Sequence, residues 1–394
     1  MRILLVITAI LLAASRSLTA QLGDELGSQD YWVQSFYPKL FYTADDGLTM
    51  GGFFGFIQPT RFDDFGGPTS YRAAVTANAQ ISTEGSRFLR LEFRAPDFVP
   101  GWRFLLRGEG RRWGHDNYYG IGMGATFEED NVTDAQPNFY EARHDRHSMR
   151  AEVQRRIVGP LRVLAGVDLQ HWVISPLEGP SVFANDLAAN VDPTMGMGTV
   201  EVVGRMGLVF DSRDSEVAPT SGAMLQALAA GADADLAGDV SYSRLTLSAQ
   251  GHVPATSDLT LSGRIAAQLM GGTPRFGSYY RLDGSEYQLH AMGGASTHRA
   301  IPDNRFLGRH ALLGNVEARY NLYGYPTAYM LSLVAFLDAG RVFENEDFSL
   351  TTDDLQVGGG MGLFAQLGLF AVLGVTAGLG PDGVVLNAHT RWPF

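Results

Sequence analysis

The side chains best suited to catalysis in this 394-residue sequence stand together at His144-Asp145-Arg146-His147-Ser148, which supplies a base, a carboxylate and a hydroxyl. A nucleophile must lie within hydrogen-bond reach of its base. Alternation around this segment makes it a strand, and neighbours on a strand point to opposite faces, so His147 does not activate Ser148. Gly120-Ile121-Gly122-Met123-Gly124 has the glycines of a phosphate loop. It lacks the strand-to-helix setting that aims backbone N–H groups at a phosphate. The nine histidines, among them His115, His171, His252 and His389, show no ligand spacing. The absence of cysteine removes thiolate metal sites, a cysteine nucleophile and a disulfide framework. Acidic runs at Glu128-Glu129-Asp130 and from Glu344 to Asp347 read as solvated loops. The expectation is a protein with no catalytic set, no metal and no cofactor. A formal charge of −12 argues against a nucleic-acid partner, whose phosphates call for a basic surface.

The elements that would carry other chemistry are strands. Residues 1–20 form a charged n-region, an apolar stretch and a small-residue end, which is the pattern of a signal peptide cleaved near Ala20. Beyond it, Leu245, Leu247 and Ala249 alternate with Arg244, Thr246 and Ser248. Leu89, Leu91 and Phe93 alternate with Arg90, Glu92 and Arg94, and Val316 and Ala318 with Asn315, Glu317, Arg319 and Asn321. Period two means strand. Runs of ten or more residues, apolar on one side and arginine-rich on the other, fit an all-β, antiparallel transmembrane barrel whose apolar side meets lipid and whose polar side faces a lumen. Sixteen candidates lie near 34–43, 48–58, 69–81, 86–96, 102–113, 138–156, 160–175, 198–213, 222–232, 240–253, 257–271, 312–322, 329–343, 354–367, 369–379 and 384–394. The apolar run Met361 to Leu379 could pass for a helix, but its glycines and the Gln366-Leu367-Gly368 break favour two strands. Long segments 114–137, 176–197 and 272–311 then fall at one end, outside the cell. Tight turns such as Val158-Gly159-Pro160 and Pro254 to Ser257 fall at the other. Trp102, Trp113, Tyr118, Tyr119, Tyr323 and Tyr325 suit interfacial aromatic girdles.

Four blocks carry a family resemblance. Gly207 to Asp214 with Ala218-Pro219-Thr220-Ser221-Gly222 resembles a strand end and periplasmic turn of the BamA/TamA superfamily of outer-membrane assembly barrels (the bacterial surface antigen family). Asp211, Arg213, Asp214, Pro219 and Gly222 are its marked positions. Gly293-Gly294-Ala295-Ser296-Thr297-His298-Arg299 resembles the start of the family's lumenal loop. Asn315-Val316-Glu317 and Phe336-Leu337-Asp338-Ala339-Gly340 resemble the two strands that follow. After Arg299 the family's usual glycine–aromatic pair is replaced by Ala300-Ile301. Gln21 to Val33 precedes the first strand and is far shorter than a POTRA domain, so the expected organisation is a signal peptide over 1–20, a short periplasmic leader over 21–33 and a barrel over 34–394. The closing His389 to Phe394 reads as an aromatic-bearing strand whose Trp392 and terminal Phe394 resemble an outer-membrane assembly signal.

The resemblance implies that loop 272–311 folds into the lumen and is locked there by Arg299 against Glu317 and Asp338, with Arg305 and Arg309 as the substitutes if Arg299 is not the locking residue. A guanidinium between two carboxylates forms charge-assisted, two-pronged bonds. The implied function is insertion or translocation of proteins or lipids at the outer membrane. A weakly paired seam between the first and last strands would be loosened by Gly51, Gly52 and Gly55 near the front and by Pro393 near the end. Its partners would be outer-membrane lipid, a periplasmic or POTRA-bearing protein and a client protein or lipid. The alternative is a passive or loop-gated pore, with anion preference from the arginine-rich lumen; an enzyme has no credible catalytic set.

Overall fold

The computed structural model describes residues 31–43, 46–60, 68–325, 329–344, 353–367 and 371–394, so the expected signal peptide and most of the leader lie outside the described residues. The strands in chain order are β1 (Val33–Thr43), β2 (Gly47–Pro59), β3 (Tyr71–Ser82), β4 (Arg87–Val99), β5 (Trp102–Asn117), β6 (Glu141–Val158), β7 (Leu161–Pro176) and β8 (Thr199–Asp211). There follow β9 (Gly222–Ala232), β10 (Tyr242–Pro254), β11 (Leu259–Gly272), the two-residue pair β12 (Arg281–Leu282) and β13 (Leu289–His290), then β14 (His310–Tyr325), β15 (Tyr329–Phe343), β16 (Gln356–Leu367), β17 (Ala371–Gly380) and β18 (Gly383–His389). All but β12 and β13 form one 16-stranded sheet in consecutive order, every pair antiparallel. Met361 to Leu379 is divided between β16 and β17, two strands as expected. Among the described residues no helix is long and apolar enough to cross a membrane.

The alternation assigns the faces. Leu89, Leu91, Met206 and Leu245 are exposed on the outside, whereas Arg94, Arg150, Asp168, Arg205, Glu317 and Asp338 are buried on the inside. A charge removed from water needs a partner, and the inner wall supplies them between strands. Arg150 on β6 donates two bonds to Asp168 on β7, at 2.7 and 2.6 Å. Arg205 on β8 reaches Glu152 on β6 at 2.7 Å and also binds Asp283 of the long loop at 2.9 Å. The sheet therefore wraps an ionic interior, and its β1 and β18 edges are joined by no ladder among the described residues.

The last strand departs from the expected 384–394. It stops at His389, pairing with β17 from Gly374 to Gly380. Residues 390–394 turn off the sheet and enter the lumen, where Trp392 and Phe394 are buried. Pro393 cannot add to a ladder from there, so the expected loosening of the seam by this proline does not apply.

Replacing Arg205 by methionine leaves Glu152 and Asp283 buried without their main cation. Such a loss costs about 3–5 kcal/mol. Urea unfolding in lipid vesicles should show the corresponding drop; an unchanged midpoint would mean that lumenal water solvates these carboxylates.

Candidate functional site in the barrel lumen

The segment between β11 and β14 leaves the wall at Gly272, whose φ of +82° suits glycine, and turns inward. Arg275 ties it to the wall through Glu201 at 2.7 Å and the Thr199 carbonyl at 2.6 Å. Phe276, Tyr279 and Tyr280 then pack with Tyr118 and with Phe183 of a short helix, α1 (Val182–Ala189). Ser181 caps that helix by accepting the Ala184 N–H at 3.1 Å. This aromatic cluster stoppers the long-loop end. It corrects part of the expected girdle: Tyr118 is buried in the stopper, and Tyr119 is buried beside it against Phe127 and Tyr140. Trp113 faces inward, against the rings of His144 and the Arg281 guanidinium. Trp102, stacked with Phe104, and Tyr323, beside Tyr329, do lie on the outer face near the short-turn end. The side chain of Tyr325 lies outside the described residues. The glycine run after Tyr119 also serves the stopper, since the Gly122 N–H donates to the Leu307 carbonyl at 2.7 Å.

Deeper in the lumen the loop makes a tight hairpin. Gly293 and Gly294 adopt φ of +132° and +75°, and Cβ atoms there would collide with Pro302 and Asp303. The Gly294 N–H donates to the Ile301 carbonyl at 3.0 Å, which places Arg299 at the tip. Its backbone N–H and Nε both donate to Oδ2 of Asp338, at 2.8 and 2.9 Å, and Nη2 donates to Oδ1 at 2.8 Å. Nη1 pairs with Glu317. The guanidinium also lies 4.0 Å over the Phe336 ring, and Asn315 donates to the same Asp338 carboxylate at 2.8 Å. All three charged groups are buried.

Arg305 and Arg309 do not share this contact. Arg305 binds Asp382 in the β17–β18 turn at 2.7 Å, and Arg309 reaches the Tyr279 hydroxyl at 3.4 Å near the outer stopper. Ala300 and Ile301, standing where the family has glycine and an aromatic residue, are both buried. Ala300 sits against a stretch of wall made of glycine. A Cβ on Gly358 would come within 2.5 Å of the Ala300 Cβ, and one on Gly378 within 2.7 Å of the Ala300 Cα. The small wall residues let the loop tip and the β16–β17 wall approach closely. From β18, Asn387 donates to the Arg299 carbonyl at 2.8 Å.

From the short-turn end two further segments close on the same place. In the β8–β9 turn Arg213 makes two bonds to Asp211, at 2.9 and 3.1 Å. Asp214 accepts from the Thr220 N–H at 2.9 Å, and Gly222 takes a φ of +91°. These five marked positions shape the turn, but its reach into the lumen comes from Glu216, which the sequence reading did not single out. Glu216 meets Arg94 at 2.7 Å and Arg103, and both arginines also meet Glu286 of the long loop, at 2.7 and 3.3 Å. Burial alone would raise the Glu216 carboxyl, but Arg103 and Arg94 hold it well below the ordinary glutamate range.

Arg319, also missed as a site residue, joins two of the intruding segments directly and meets the third through Glu317, which it shares with Arg299. It donates to Glu317 at 2.5 Å, to the Pro219 carbonyl at 3.1 Å and to the Phe394 terminal oxygen at 2.7 Å. It also lies 4.4 Å over Trp392, which stacks on Phe364 at 4.3 Å. Arg264 holds the Pro393 carbonyl at 3.1 Å and lies 4.9 Å over Phe394. Alternation had placed Arg319 on the polar face; nothing in its spacing pointed to the chain terminus. Beneath the loop a cavity of about 480 Å³ remains, lined by both charged and apolar side chains, among them Arg94, Glu216, Arg264 and Trp392.

Two measurements follow. Gly378→Val should push Ala300 off the wall and open the arginine-rich loop to trypsin added at the long-loop end, while the wild type stays protected. The depressed Glu216 carboxyl contributes stability above its unfolded value of about 4.3, and this is lost as pH falls through the depressed folded value. The stability gap between wild type and Glu216→Gln should therefore persist at neutral pH and narrow well below that range in acid urea titrations.

A family profile described as the Omp85 superfamily domain matches residues 65–376. Among solved structures, BamA from Haemophilus ducreyi lacking POTRA domains 1-3 superposes with a TM-score of 0.56 at 11% identity, over 91% of this chain and 69% of that one. CdiB from Escherichia coli superposes with a TM-score of 0.59 at 13% identity, over 90% of this chain and 61% of that one. The chain thus spans about 60–70% of the length of these structures. A comparison with curated proteins gave no match. The profile covers most of the sixteen-stranded sheet together with the lumenal loop, and on that ground the chain belongs to the Omp85 superfamily of outer-membrane β-barrels.

Proposed function

We propose that this protein assists the insertion or translocation of proteins or lipid at the outer membrane, working at the β1–β18 seam. The supporting observation is one juxtaposition: the two edges of the sheet share no ladder among the described residues, while the lumen beside them is filled by the long loop, the β8–β9 turn and the C-terminal residues. Unpaired strand edges in hydrocarbon are costly, several kcal/mol for each unsatisfied backbone group, and an extended client segment satisfies them by strand addition. A filled lumen disfavours passage along the barrel axis and leaves the lateral route. In this reading Arg299, Glu317 and Asp338 form a lock that keeps the loop tip under the seam, and Asn387 passes that position to β18. The long loops face outward from the cell, and a periplasmic partner delivers clients to the short-turn end.

The chain has no cysteine, so one introduced into β1 and one into β18 give an unambiguous cross-link. The reconstituted double variant should accelerate folding of a urea-unfolded β-barrel client when reduced, lose that ability when oxidised and regain it with reductant. Activity that survives oxidation would exclude the seam. A large, steady conductance of the wild type in planar bilayers, unaltered by Arg299→Ala, would instead identify a passive pore.

A further inference from the structure

The lipid-facing wall of β4 to β7 carries a groove that neither the lock nor the seam uses. On β5 the outward positions include Gly108 and Gly110, and neither needs to be glycine for its backbone, since neither has a positive φ. A Cβ on Gly108 would meet nothing within 4 Å, so the missing side chain leaves a depression in the outer surface. Leu89 and Leu91 of β4 bound it on one side, and His147 and Met149 of β6 on the other. The groove measures about 500 Å³.

Its two ends differ in chemistry. Gly108 lies in register with Leu91 and Met149, and Met149 with Leu169, an apolar row. One row nearer the long-loop end, Gly110 is in register with His147, and His147 with His171. The two imidazoles stack with centroids 6.3 Å apart, and a Cβ on Gly110 would lie 3.3 Å from Nδ1 of His147, so that ring hangs over the glycine floor. The next row pairs Arg87 with Arg112, and Arg112 with Asp145. Arg112 donates to Asp145 at 2.6 Å yet keeps more than a third of its side chain exposed. Two arginines and two imidazoles thus crown an apolar channel, with one carboxylate among them. On a face that touches acyl chains, basic groups are ordinarily kept out. Here they stand together at the end of a groove floored by Gly108 and Gly110. A phosphate would satisfy the arginine forks, and the imidazoles would donate to it.

We propose that this wall binds one phosphate-bearing membrane lipid, an acyl chain lying over Gly108 and Gly110 between Leu91 and Met149. Its phosphate is held by His147 and His171, with Arg87 and Arg112 above them. The occupant is a lipid of the surrounding bilayer, because Leu89, Leu91 and Met149 are exposed on the outer, lipid-facing side of the wall.

The test is retention of lipid by the full-length folded barrel, read by native mass spectrometry after exchange into detergent. The two probes are phosphatidylglycerol and a diacylglycerol with the same chains. Wild type should retain phosphatidylglycerol preferentially. Gly108→Leu fills open space, leaves the fold intact by heat-modified gel mobility and should cut retention of both probes about tenfold. His147→Ala with His171→Ala should lower phosphatidylglycerol retention while sparing diacylglycerol. Gly204→Leu, at a lipid-facing glycine on β8 without histidines beside it, should change neither. Equal retention of both lipids by the wild type, or an unaltered adduct in Gly108→Leu, would mean annular lipid only and would overturn the proposal. An equal loss in Gly204→Leu would do the same.

Discussion

Enclosing charge is the constraint on which this barrel depends. An arginine on the inner face cannot return to bulk water without breaking the sheet, and an isolated buried cation is prohibitively unfavourable. Each must meet a carboxylate or a carbonyl across the lumen. The sheet alone satisfies some, as Arg150 with Asp168. Others take further partners from chain that enters from the ends: Arg205 from Asp283, Arg94 and Arg103 from Glu216 and Glu286, Arg319 from the terminal oxygen of Phe394. The ionic lumen and the segments that fill it require each other.

That mutual requirement gives the interior its order. Arg299 occupies the centre, bound on one side to β15 through Asp338 and on the other to β14 through Glu317. Glu317 is shared with Arg319, and Arg319 with the β8–β9 turn and the C-terminal residues. Motion of the loop tip would therefore leave Glu317 and Asp338 short of a cation, and through Arg319 it would be felt by the chain terminus. Buried pairs of this kind add little net stability over an apolar core but are costly to break singly. They favour a single arrangement of the intruding segments over many loose ones.

The outer architecture was legible because period two leaves few alternatives. Leu89-Arg90-Leu91-Glu92 admits one assignment of faces, and except at the end of β18 the observed strand ends fall within a few residues of those read from the alternation. The polar-face position of Glu317 followed from the same rule, and the family resemblance supplied Asp338 and the loop residue Arg299 to meet both. Glu216 and Arg319 were less visible. Glu216 lies in a turn, where no periodicity says which side chains point inward. Arg319 was placed on the correct face, but its partners come from the far end of the chain. Tyr118 and Tyr119 were misplaced for a related reason. An aromatic residue at a strand end fits an interfacial girdle and a lumenal stopper equally well until the path of the following loop is known.

The C-terminal residues mark the boundary most clearly. Alternation determined the sheet, its faces and the charge of its interior, because side-chain direction on a strand depends only on position along it. It also suggested carrying the last strand through to Phe394. Tertiary structure decided otherwise. Trp392 finds Phe364 to stack on, Phe394 finds Arg264 beneath its ring, and the terminal oxygen finds Arg319. These partners come from β11, β14 and β16, and only the curvature of the sheet around the lumen brings them together. Five residues drawn off the ladder are held by charge and aromatic contacts that a local pattern does not encode.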